Sequence, residues 1–197
     1  MAAMAQEIEA KFKVTDHAPV RRALRREGAE YIATTIQTDC YYDTPERMLL
    51  GRDCGLRIRS LRCLRRGARP VDTRPLLTVK GPGRLSSQAK IRREIQVRLD
   101  DAPAVVELLE AMGLTLTFTV QKRRAGYRLP PCLIELDELP MIGRFVEIEA
   151  PSEGDIAAMC RRLGIETPPI TDHYVNLLIA AAGGGAGAVG CEAMRPR

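Results

Sequence analysis

Close to the start of the chain, Gln6-Glu7-Ile8-Glu9-Ala10-Lys11-Phe12 sets two carboxylates and an ammonium at every second position, with Ile8, Ala10 and Phe12 alternating against them. Side chains of an extended strand point to opposite faces in turn, so Glu7, Glu9 and Lys11 share one face and the apolar residues the other. Carboxylate oxygens are what hard divalent cations take as ligands, and an ammonium is a compact partner for phosphate. A solvated strand face would carry the same three charges, so the companions decide.

The companions repeat the design. Arg57 and Arg59 alternate with Leu56 and Ile58, and Thr78 and Lys80 with Leu77 and Val79. Arg92, Glu94, Gln96 and Arg98 oppose Ile91, Ile95 and Val97, and Lys122 shares a face with Arg124. Glu135 and Asp137 oppose Ile134 and Leu136, while Glu147 and Glu149 oppose Val146 and Ile148. Two architectures fit strands with one apolar and one charged face. One is an open sheet with helices on its apolar side, which the residues alone favour. The other is a closed barrel with a charged lumen and helices outside. The acids cluster on the first strand and the last two, and the bases on Arg57, Arg59, Lys80, Arg92, Lys122 and Arg124. Closure would bring the end strands together, so that the acids converge and face a basic wall. A metal-bound triphosphate needs both halves, since arginine forks grip phosphate oxygens and carboxylates grip the cation.

The segments that must hold these faces alternate with period two near residues 7–13, 35–43, 55–62, 76–81, 90–98, 117–124, 125–137 (interrupted by Pro130 and Pro131) and 144–150. Helical spacing follows Asp16, Asp101 and Ser152, each a candidate N-cap, with Gly28, Gly113 and Gly164 as stops. A last helix begins near Asp172-His173-Tyr174. Arg62 to Pro75 reads as a mobile basic loop, and the Gly- and Ala-rich stretch 183–197 as a disordered tail. His17 reads as an exposed residue of a first helical turn, and Tyr41, Tyr42 and Asp43 as structural.

The 197 residues suffice for one domain with a substantial core. A net charge of +5 with interleaved signs, 4% aromatics and no Trp argue against a nucleic-acid surface built on basic stripes and stacking platforms. Six scattered cysteines form no CxxC or zinc spacing and read as free thiols of a reducing compartment. With no apolar leader and no membrane-length segment, a cytoplasmic location is expected.

In their order along the chain, ExExK (Glu7 to Lys11), YYDTPERMLL, GLRIRS, LLTVKGP, IRREIQV, VQKRRAGY, IELDELPMIGRFVEIEA and DHYVNLL resemble the CYTH superfamily, the triphosphate tunnel metalloenzymes. The resemblance spans residues 6 to about 181, and the TVKGP and FVEIE segments look most like its class IV adenylate cyclase and thiamine triphosphatase branch. It implies an α+β fold, a closed eight-stranded antiparallel barrel with helices outside. It implies Mg²⁺ or Mn²⁺ on Glu7, Glu9, Asp137, Glu147 and Glu149, with Glu94 and Glu135 as further acids. Lys11, Arg57, Arg59, Lys80, Arg92, Lys122 and Arg124 are implied to hold the triphosphate, Lys11 and Lys80 standing as the catalytic lysines. Gln96 and His173 depart from the family pattern, which often has an acid at the first and a serine at the second. The implied substrate is ATP, thiamine triphosphate or tripolyphosphate. The implied activity is triphosphate hydrolysis, with cyclic AMP formation or non-catalytic polyphosphate binding as alternatives. Neither a nucleic-acid nor a membrane partner is expected, and a homodimer is left open.

Overall fold

A computed structural model describes residues 5–86 and 89–182. The chain runs β1 (Ala5–Val14), α1 (Ala18–Arg26), β2 (Glu30–Asp43), α2 (Met48–Gly51), β3 (Gly55–Arg66), β4 (Leu76–Lys80), β5 (Arg84–Leu85), β6 (Lys90–Arg98), α3 (Ala102–Ala111), β7 (Thr115–Leu129), β8 (Cys132–Leu139), β9 (Gly143–Glu149), α4 (Glu153–Leu163) and α5 (Tyr174–Ala181). The strands pair antiparallel in the order β1-β9-β8-β7-β2-β3-β4-β6, and β6 returns to β1 through Glu7↔Arg92 and Ile8↔Ile91. Eight strands therefore close on themselves, and β5 adds a two-residue fringe to β6. The open sheet is excluded by the β1–β6 ladder.

Closure sends the apolar set of each strand outward, and the helices cover it. Phe12, Ile134, Leu136, Val146 and Ile148 pack under Val20 and Leu24 of α1 and Ile156, Met159 and Leu163 of α4. Leu109 of α3 closes a second cluster on Tyr42, Leu56 and Ile58. The third cluster lies on the lumen side. Val120, Leu139 and Phe145 share strand faces with Lys122, Asp137 and Glu147, and Tyr174 and Val175 of α5 fill that end of the barrel against them. One end of the lumen is thus stoppered by apolar side chains.

Local chemistry explains most element ends. Asp101 and Ser152 accept the N–H groups of Ala104 (3.0 Å) and Asp155 (3.2 Å), as N-caps do. Gly164 ends α4 in the left-handed region at φ 69°. Asp43 accepts from the backbone of Thr44, Leu49 and Leu50, which fixes the turn into α2 and makes its role structural.

The structure corrects several expectations. The N-cap of α1 is His17 rather than Asp16, whose carboxylate accepts from Ala18 N–H instead. His17 is not exposed: it is 3% accessible, and its Nε2 bonds the Phe145 carbonyl at 2.9 Å, because α1 lies over the β9 end. The basic segment after Arg62 is strand as far as Arg66, paired to Ala33 and Thr34, so the loop starts later. Thr115 to Leu129 is one unbroken strand that turns at Pro130-Pro131, so the break falls at the prolines alone. Residues 183–197 lie outside the described residues. Among the described residues no helix is long and apolar enough to cross a membrane.

Leu24 is fully buried between α1 and the barrel wall. Leu24→Ala should cost about 3 kcal/mol, the usual range for a leucine cavity. Urea unfolding should show a lower midpoint at unchanged slope, and an unaltered midpoint would mean that α1 does not seal the barrel.

Candidate active site

The lumen encloses a cavity of about 420 Å³. Its wall carries every residue that the strand faces nominated: Glu7, Glu9, Lys11, Arg57, Arg59, Lys80, Arg92, Glu94, Lys122, Arg124, Glu135, Glu147 and Glu149 line it, and Asp137 lies beneath them, fully buried. Arg98 sits at the rim with its guanidinium on the Arg74 carbonyl.

Strand register pairs most of these charges with opposites. Glu7 faces Arg92, Lys11 faces Glu147, Lys80 faces Glu94 and Arg124 faces Asp137. The side chains then choose their partners, Glu7 taking Lys80 and not Arg92. Lys80 Nζ lies 2.6 Å from Glu7 and 3.1 Å from Glu94. Arg124 reaches Glu135, Asp137 and Glu147 at once, and Lys122 Nζ is 2.9 Å from Asp137. Lys11 Nζ lies 3.4 Å from Glu147 and 3.9 Å from the centre of the Tyr174 ring, whose hydroxyl donates to Asp137 at 3.0 Å. The acids and bases are therefore interleaved, not parted into a carboxylate cluster and a basic wall as the sequence suggests. All the lumen cations but Arg92 rest on a carboxylate, as charges withdrawn from bulk water do when a partner is in reach.

Asp39 is the lumen residue that strand-face reasoning missed. It is 2% accessible and grips Arg59 with both oxygens, at 2.6 and 2.7 Å, and Arg57 at 3.2 Å. Its signal was present in Thr35-Ile36-Gln37-Thr38-Asp39, where the polar residues alternate with Ile36 as on the other strands. Burial alone would raise its pKa, but Arg59 and Arg57 hold it far below the usual carboxylate range.

Two register pairs break the rule of opposites. Glu9 faces Glu149, and Glu135 faces Glu147. Like charges directly opposite are destabilising. Burial and then the charge of Glu135 raise the Glu149 pKa, and burial and then Glu9 push Glu7 up to about 8 despite Lys80. Among the described residues no three such groups lie close enough to hold a metal ion as they stand. The donor set nevertheless fits a hard cation. Its atoms are all carboxylate oxygens, and the opposition of Glu9 and Glu149 across the ladder is one that a divalent charge would relieve.

The basic side has its own unmet demand. Arg57 Nε, Arg92 Nε and Thr78 Oγ1 are buried without a hydrogen-bond partner. All three belong to lumen-facing strand positions, Arg57 being directly opposite Thr78. Native interiors rarely strand such groups unless a ligand or ion completes them.

A closed barrel that keeps its charges in the lumen and its apolar core outside is the architecture of a tunnel for a charged ligand. The chain belongs to the CYTH domain family, whose profile matches residues 5–158. MJ0240 of Methanocaldococcus jannaschii, provisionally named an adenylate cyclase, is 27% identical over 143 residues, covering 73% of this chain and 75% of that protein. Adenylate cyclase CyaB of Aeromonas hydrophila is 29% identical over 143 residues, covering 72% of this chain and 67% of that one. The solved structure of the PH1819 protein of Pyrococcus horikoshii OT3 matches with a TM-score of 0.74 at 29% identity, over 88% of this chain and 98% of that.

Asp39, Asp137 and Glu147 all titrate below their ordinary values, because their cations outweigh burial. Their contribution to stability is complete above the unfolded-state values near pH 4 and is lost as pH falls toward the folded ones. Glu7 and Glu149, raised, act in the opposite sense and lose stability as pH climbs. Denaturant midpoints should therefore fall on acidification below about pH 4. Asp39→Asn should lose about 3 kcal/mol at pH 7, as breaking a buried pair does, and flatten that acid limb. A variant with wild-type stability at both pH values would mean that Asp39 does not clamp the arginines.

Proposed function

We propose that this protein is a divalent-metal-dependent enzyme that hydrolyses a triphosphate held in its lumen. The observation that carries the reading is the set of partnerless buried groups, Arg57 Nε, Arg92 Nε and Thr78 Oγ1, set among the lumen cations. A buried N–H without an acceptor costs about 1–3 kcal/mol, and phosphate oxygens are acceptors that also carry the charge those cations neutralise.

On this reading Lys11, Arg57, Arg59, Lys80, Arg92, Lys122 and Arg124 grip the triphosphate, and phosphoryl transfer needs little beyond position and charge neutralisation. Lys11 and Lys80 stand beside the acids and stabilise the charge that builds during transfer. Mg²⁺ or Mn²⁺ would be held by Glu7, Glu9, Glu147 and Glu149, and when bound would neutralise phosphate oxygens and activate the attacking water. Asp137 holds Arg124, Lys122 and Tyr174 in place, and reaches a cation only if those partners turn to phosphate. Water as nucleophile requires no held hydroxyl, so hydrolysis asks nothing of the substrate beyond its phosphates.

A second reading is cyclisation of ATP to cyclic AMP and pyrophosphate. It is favoured by the names carried by the two curated relatives and by apolar Tyr41, Leu49, Phe118 and Val175 in the same cavity, where a nucleobase could rest. The test is product analysis with Mg²⁺ or Mn²⁺ and, separately, tripolyphosphate, thiamine triphosphate and ATP. Orthophosphate release is expected, with no turnover in EDTA. Glu9→Ala and Glu147→Ala should each lose at least about 100-fold in kcat while remaining folded. Cyclic AMP with pyrophosphate would replace the first reading by the second. Binding of all three without turnover would leave a polyphosphate-binding module.

A further inference from the structure

The lumen cations fall into two kinds. Lys11, Arg57, Arg59, Lys80, Lys122 and Arg124 each rest on at least one carboxylate. Arg92 does not: among the described residues it makes no ion pair with an acid, although it is 3% accessible. Its guanidinium nitrogen lies instead 3.4 Å from Nε2 of His173, and its Nε is one of the partnerless groups.

His173 occupies the N-cap of α5, yet its side chain makes no capping bond. The ring is spent on the barrel wall. Nε2 is 2.8 Å from Lys90 Nζ and 2.9 Å from Asp53 Oδ1, and Lys90 Nζ is itself 3.0 Å from that oxygen. Asp53 is fixed in turn by the Gly83 N–H at 2.8 Å and by a left-handed backbone, φ 53°. One ring nitrogen cannot both accept from two cations and donate to a carboxylate. With the proton on Nδ1, Nε2 offers its lone pair to Arg92 and Lys90, and the Lys90 ammonium bridges it to Asp53. Burial lowers the pKa of His173, which keeps the ring neutral.

The chemical difference between the two kinds of cation matters for an anion. A carboxylate that orients a guanidinium also cancels its charge and competes with phosphate for its N–H groups. A neutral nitrogen takes one N–H but leaves the charge uncancelled. Resting on the triphosphate reading of the lumen, we propose that His173 is a positioning residue for substrate. Through Nε2 it holds Arg92 on the lumen wall with its charge uncancelled, and it ties that wall through Lys90 to Asp53.

The test measures calorimetric binding of tripolyphosphate, and KM and kcat with the substrate that turns over, for the unaltered protein and for His173→Leu, His173→Gln, Arg92→Ala and the Arg92→Ala/His173→Leu pair. His173→Leu should weaken binding and raise KM about tenfold, with kcat within about twofold. His173→Gln, whose amide offers Lys90 and Arg92 an oxygen and Asp53 an N–H, should recover to within about threefold of the unaltered protein. In the Arg92→Ala background the leucine substitution should add less than about twofold, since a residue acting through Arg92 has nothing left to position. If His173→Leu loses its cooperative melt, His173→Asn, too short to reach, takes its place. Unchanged binding in the Leu or Asn variant, or full additivity with Arg92→Ala, would overturn the proposal while the triphosphate reading stands. Failure of the unaltered protein to bind tripolyphosphate would overturn both.

Discussion

Everything in this structure answers to one electrostatic constraint: acids and bases in comparable numbers share a lumen largely withdrawn from water. Unpaired charge at that depth is costly, whereas a pair with good geometry is tolerable. Strand register supplies the pairing before any side chain adjusts, by setting Glu7 against Arg92, Lys11 against Glu147, Lys80 against Glu94 and Arg124 against Asp137. A slip of one residue on any of these strands would turn its charges outward under the helices and its apolar residues into the lumen. The ion pairs and the outer core therefore specify the same register from opposite faces.

The helices divide the outer wall in a way that leaves the site rigid. The α1 and α4 helices clamp β1, β8 and β9, the three strands that carry Glu7, Glu9, Glu135, Asp137, Glu147 and Glu149. The α3 helix covers Leu56 and Ile58, the outward neighbours of Arg57 and Arg59. The acids and the arginine fork are thus backed by packed apolar side chains that hold the backbone in place. The α5 helix works at the end of the lumen instead, where Tyr174 joins Phe145 in an edge-on ring contact and reaches Asp137. Burial and the nearby acids raise the Tyr174 pKa well above its ordinary value, so it remains a hydrogen-bond donor.

How much of this was legible in the sequence follows from which interactions are periodic. Alternation is local, so the lumen faces of β1, β3, β4, β6, β7, β8 and β9 could be read residue by residue. Closure is not local. The residues alone favoured an open sheet, because nothing in Glu7-Ile8-Glu9 says that Arg92 will lie opposite; the family resemblance supplied that step. Asp39 escaped because a single acid among threonines and glutamine carries no charge pattern of its own. His17 was misjudged because its burial depends on where α1 crosses β9, a tertiary fact. His173 could be seen only as a departure, since the partners that give it meaning, Asp53 and Lys90, are 120 and 83 residues away along the chain.

The pairings also determine how the lumen would receive a ligand. A phosphate that takes Arg124 or Lys80 must displace Glu135, Glu147, Glu7 or Glu94 from them. The displaced carboxylates then confront Glu9 and Glu149, already opposed across the β1–β9 ladder. Their mutual repulsion would count against the phosphate unless a cation joined them. On the function proposed above, triphosphate and divalent metal therefore each create the conditions for the other, and by linkage the coupling must run equally in both directions. Arg92 stands outside this exchange. If its orienting partner is a neutral ring, as proposed, a phosphate oxygen would reach it without setting any acid free.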